Sequence, residues 1–216
     1  CMFDLLELVA GAETIAIAKY LLMVEVTGVR AHFGLLSCGA SVDLIKIAKD
    51  KGLKVTCDVA MHQLHLTEQL IDGFNSLAHV RPPLRSEQDK NSLRQALKDG
   101  VIDAICTHHE PLSGSAKLAP FAETTPGITA FDTYVALGIQ LIEEGLFEPL
   151  EWVEKVTLAP ARVAHMMERW KAESGWVLVD PTLKWTVAKD TIVSQGKNTP
   201  LLSASVQGKV ERVFIA

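Results

Sequence analysis

The stretch Asp103-Ala104-Ile105-Cys106-Thr107-His108-His109-Glu110-Pro111 decides how this chain is read. Its first half continues Val101-Ile102, giving an apolar run too short for a helix and suited to a buried strand. Its second half sets His108, His109 and Glu110 just past the strand, before Pro111 ends the run. Polar groups gathered at a strand's C-terminal end are how a parallel barrel presents its chemistry. Upstream, Ser86 to Lys98 reads as a helix, with Ser86 capping against Asp89 and Gly100 as the stop.

The same alternation extends outward. Glu13 to Thr27 reads as a helix with apolar Ile15, Ala18, Leu22 and Val26 on one face, and Gly28 ends it. Val29 to Leu36 follows as a strand, Ser41 caps a helix through Lys51, and Leu53 to Val59 is the next strand. Thr67 opens a short helix, and Ser76 to Val80 is strand-like before Arg81-Pro82-Pro83. Phe131 to Glu144 and Leu150 to Thr157 read as helices. Four β–α units in succession predict a parallel α/β sheet with right-handed crossovers. No glycine-rich phosphate loop follows any strand, which counts against an open dinucleotide-binding sheet. Polar residues collect instead at strand ends, at Ser37, His62, Arg81 and His108, which favours a (β/α)8 barrel.

Beyond Lys171 the pattern changes to β. Trp176 to Asp180 reads as a strand turning at Pro181, and Trp185 to Val187 as a short extended piece. Leu201 to Val206 and Val210 to Ile215 read as strands about a Gln207-Gly208-Lys209 hairpin turn. The expected division is a partial barrel over residues 1–172 and a β segment over 173–216.

The chain has 216 residues, 48% of them apolar, and a net charge of −5 with its basic residues scattered. That composition supports a globular core and argues against a nucleic-acid surface or polybasic membrane anchor. No apolar run approaches the roughly 20 residues that span a bilayer, and Cys1-Met2-Phe3-Asp4 lacks a basic leader flank. Cys1, Cys38, Cys57 and Cys106 are widely spaced, as expected of small hydrophobes in a reducing compartment, so a cytoplasmic location is expected.

Five ordered motifs carry a family resemblance: His79-Val80-Arg81-Pro82-Pro83-Leu84-Arg85-Ser86, Asp99 to Ile105, Pro126-Gly127-Ile128, Ala159-Pro160-Ala161-Arg162, and Ser194-Gln195-Gly196-Lys197-Asn198-Thr199-Pro200. In these the chain resembles the C-terminal half of a bacterial long-type dihydroorotase, a metal-dependent amidohydrolase. The resemblance implies barrel strands five to eight plus part of a composite β-sandwich. It also implies that the family's His-x-His metal motif, at the first barrel strand, lies outside this sequence. A half barrel leaves raw sheet edges and an unfilled interior.

The resemblance also assigns positions. Ala31-His32-Phe33-Gly34-Leu35-Leu36-Ser37 matches the family's His-x-x-His-Val-Ser, with Leu35 where the second histidine binds metal. An aliphatic side chain cannot donate to zinc. Asp58 to His65 matches Glu-Val-Thr-Pro-His-His-Leu-Leu, which makes His62 the one retained metal-ligand position; His32 reads as an ordinary strand histidine. Arg81 replaces an asparagine that contacts substrate, with a longer charged group that would fill a compact pocket or invert its polarity. His108 occupies the place of the essential aspartate, His109 is retained, and Leu112 replaces a substrate-binding histidine. These departures spare the folding motifs and remove the chemistry, so no catalytic residues and no metal are expected. They resemble a noncatalytic branch whose barrels prop up the catalytic subunit of aspartate carbamoyltransferase, which implies a hetero-oligomer or homodimer, with no nucleic-acid or membrane partner. The alternative is a working zinc dihydroorotase interconverting N-carbamoyl-L-aspartate and L-dihydroorotate.

Overall fold

A computed structural model describes residues 10–173 and 175–215; the reading of Cys1 lies outside them. Three short parallel strands, β1 (Ala31–Phe33), β2 (Val55–Ala60) and β3 (Ala104–Cys106), pair in the order β1-β2-β3. Helices α1 (Ala10–Thr27), α2 (Gly39–Asp50) and α3 (Glu87–Lys98) alternate with them. After β3 come α4 (Phe131–Glu143), α5 (Pro149–Val156), α6 (Leu158–Val163) and α7 (Met167–Glu173). The long antiparallel strands β4 (Trp176–Thr186) and β5 (Ser205–Phe214) close the chain.

Side-chain alternation on β2 explains where the core sits. Val55, Cys57 and Val59 point to the helices and are buried, whereas Thr56 and Asp58 lie half-buried on the opposite face. The core under the helices joins Leu36, Ile45, Val59, Leu93, Ile105 and Leu141. Burying each such side chain contributes about 1.5–3 kcal/mol. Gly138 on α4 lets the indole of Trp152 on α5 lie flat against the backbone, since a Cβ there would meet the ring at 2.2 Å.

Several expectations are corrected. Ser76–Ala78 is a 3-10 turn, so the parallel sheet has three strands among the described residues. The turn is driven by the Asn75 side chain, which accepts the Leu77 amide at 3.1 Å and offers the backbone an alternative to a ladder. Ser41 is not a cap: α2 begins at Gly39 after Cys38, and Ser41 is buried inside it. On α1 the buried residues are Ile17, Leu21 and Val24, while Ile15, Leu22 and Val26 are exposed. That helix is apolar all round, so its periodicity carries no information about which face packs. Gln207-Gly208-Lys209 is not a turn. It runs through the middle of β5, whose partner is β4, and Asp180-Pro181 lies at an irregularity inside β4. Gly208 is needed for a close approach: a Cβ there would come within 2.1 Å of Ile139 on α4. The predicted α3 cap is observed, with Ser86 Oγ accepting the Asp89 amide at 3.1 Å.

Among the described residues no helix is long and apolar enough to cross a membrane.

Candidate functional site

The C-terminal ends of β2 and β3 bring two of the expected site residues, His62 and His108, together, while Leu35 at the end of β1 is tied to Asp58. Asp58 lies on β2. Its Oδ1 accepts the Leu35 amide at 2.8 Å and the Cys106 thiol at 3.3 Å, and its Oδ2 lies 2.9 Å from His32 Nε2. Burial opposes ionisation of Asp58, but these hydrogen bonds prevail and hold its carboxyl below the usual range. The hydrogen bond from the Leu35 amide to Asp58 accompanies a φ of +60 at Leu35, a left-handed bend uncommon outside glycine. Leu35 lines an apolar cleft of about 600 Å3 with Ala16, Tyr20, Met23 and Pro82.

Ser37, at the same strand end, is engaged structurally. Its hydroxyl donates to Glu13 and accepts from Arg85 Nε at 2.9 Å. Cys106 was expected as a buried core thiol; it is half-buried and bonded to Asp58 on the polar face of the sheet. Burial and the neighbouring Asp58 charge push its thiol up, which disfavours the thiolate. Cys57 is buried and pushed up to about 12.

His62 follows β2 in a 3-10 turn over Met61–Leu64 and is 2% exposed. Neither of its ring nitrogens has a hydrogen-bond partner. Burial, reinforced by His108, pushes His62 down to about 3, so it is neutral. His108 stacks on it with ring centroids 5.6 Å apart and planes 25° apart. His108 sits at φ +45, its Nδ1 also lacks a partner, and its Nε2 is 3.6 Å from Glu110 Oε1. The sequence thus brings His62 and His108 face to face with three unpaired ring nitrogens.

His109 points elsewhere. Its Nδ1 accepts the backbone amides of Ala130 and Phe131 at 3.1 and 3.2 Å, at the start of α4. Its proton therefore sits on Nε2, and its ring stacks on Phe131 at 4.0 Å. Burial lowers its pKa, with Asp132 opposing. Arg81 is exposed at a cis Arg81–Pro82 bond. Leu112 is held by its backbone, its amide donating to Asn198 Oδ1 at 2.7 Å.

Zinc requires three or four protein donors. Among the described residues no group of three or more His, Cys, Asp or Glu could hold a metal. The donor set offered here is the two imidazoles of His62 and His108, and it does not fit a zinc centre by itself.

Two residues that organise the site were not anticipated. Asn198 lies in the Ser194–Pro200 motif of the C-terminal segment. It is 3% exposed and bonds to the Leu112 amide, the Glu110 and Gly127 carbonyls and the Thr129 hydroxyl. Lys117, 7% exposed, donates to the carbonyls of His79 and Thr125 and pins the segment after β3 onto the one before Pro82. A polar residue at a loop position has no periodic signature, so only the Asn198 motif could have pointed to either.

No family model matches the chain. A dihydroorotase-like protein of Pseudomonas aeruginosa is 39% identical over 207 residues, which is 94% of this chain and 49% of that protein. One of Pseudomonas putida is 40% identical over 208 residues, and a dihydroorotase of Syntrophus aciditrophicus is 34% identical over 202. Among solved structures, the dihydropyrimidinase of Brevibacillus agri superposes with a TM-score of 0.85 at 21% identity, over 95% of this chain and 47% of that one. An inactive dihydroorotase-like domain of a Chaetomium thermophilum CAD-like multifunctional protein gives 0.68 at 21% identity, over 92% and 53%. These structural likenesses establish the amidohydrolase fold as a partial domain. By sequence the chain is similar to dihydroorotases and dihydroorotase-like proteins over nearly its whole length, consistent with the C-terminal half of such a protein, and it spans about half the length of the curated relatives it matches.

Proposed function

We propose that this chain belongs to a noncatalytic dihydroorotase-like subunit of cytoplasmic pyrimidine biosynthesis that supports assembly of aspartate carbamoyltransferase. One observation carries the reading. Leu35 stands where the family places a metal-binding histidine, and in that bend its backbone amide donates to Asp58. No rotation supplies a donor there. His62 remains as a neutral, desolvated imidazole stacked on His108, and the negative charge of the family's aspartate, which would balance a divalent cation, is gone. The folding contacts around them, from Asn198 to the Glu13–Arg85 pair, are in place.

The test uses the full-length protein. Metal analysis reads near-zero zinc, dihydroorotate turnover is at background, and the protein co-elutes with aspartate carbamoyltransferase. Stoichiometric zinc with turnover overturns the reading.

A second reading has one observation in its favour. The three unpaired ring nitrogens of His62 and His108 are buried, and such atoms are costly unless something satisfies them. In a zinc-dependent dihydroorotase these two residues would hold the metal together with donors from outside this chain. The metal would supply Lewis acidity toward the cyclic amide. The same metal analysis separates the two readings.

A further inference from the structure

We draw no further inference here: the strongest candidate, the cleft of about 360 Å3 between the start of α4 and the β4–β5 pair, lined by Phe131, Trp185, Val193 and Lys209, carries nothing because nothing in the structure shows what covers it.

Discussion

Asn198 Oδ1 accepts the Leu112 amide at 2.7 Å, while its Nδ2 donates to the Glu110 and Gly127 carbonyls at 3.0 and 3.1 Å. One side chain from near the C-terminus therefore fixes the segment that leaves β3, the same segment that carries His108 and His109. With Thr129 Oγ1 also donating to Oδ1, the buried amide has all its groups paired.

Replacing Asn198 by alanine leaves the Leu112 amide and the Gly127 carbonyl buried and unpaired. The expected loss is about 3 kcal/mol, from several hydrogen bonds and their desolvation. Urea denaturation measures it. Hydrogen exchange then reports faster opening at Leu112 and Thr129 than at β2; uniform exchange across the chain contradicts a local role for Asn198.

Gly196 supplies the close approach that lets Asn198 reach. A Cβ at this position would lie 2.4 Å from the Leu112 nitrogen and 2.7 Å from the Pro111 carbonyl carbon, and backbone atoms cannot rotate away. Gly196→Ala is expected to cost about 2–4 kcal/mol. Gly114→Ala, where nothing lies within 4 Å, is the matched control and is expected to be near neutral in the same melt.

His65 gives a pH dependence on the acid side. Burial, with Arg94 adding to it, pushes His65 down to about 4. The unfolded chain takes up this proton near pH 6.5, whereas the folded chain refuses it until about pH 4. The stability tied to neutral His65 is therefore present above about 6.5 and is lost as pH falls toward 4, at up to about 1.4 kcal/mol per pH unit. His65→Leu flattens the stability curve in that window. A curve parallel to the parent's shows that His65 titrates normally.

The alternating units, the Ser86 cap and the strand ending at His108 were legible because each rests on local chemistry. Periodicity reads a helix or strand, and caps read its ends. Three features escaped for physical reasons. The exposed and buried faces of α1 cannot be told apart when both are apolar. Segment 76–80 looks like a strand but turns, because Asn75 bonds the Leu77 amide. Residues 201–215 were split at Gly208, since glycine marks a turn as readily as a close approach to Ile139. Within the site, the clustering of His62 against His108 was legible, because parallel strands align their C-terminal ends. The side-chain anchors Asn198 and Lys117 depend on contacts far apart in sequence and had no local signal.

Lys117 makes the opposite pH prediction, on the alkaline side. Its ammonium donates to the His79 and Thr125 carbonyls at 2.9 and 2.8 Å, and burial pushes it down to about 8 against the raising influence of Glu110. The unfolded lysine titrates near 10.4. Below about pH 8 the fold bears the cost of a buried charge; as pH rises from about 8 toward 10.4 the folded state sheds the proton first and that cost is relieved. The Lys117 contribution to stability therefore grows with pH, although its hydrogen bonds weaken as the charge is lost. Cys57 and Tyr134, held above their usual values by burial, pull the other way over the same range, so the raw curve mixes opposing slopes. The informative quantity is the difference between the parent and Lys117→Met, in which the other groups cancel. Denaturation midpoints from about pH 7 to 10 are expected to show the parent gaining relative to Lys117→Met, with the gain setting in near pH 8. A constant difference across that range means that Lys117 stays protonated throughout, and that two carbonyls suffice to hold a buried ammonium.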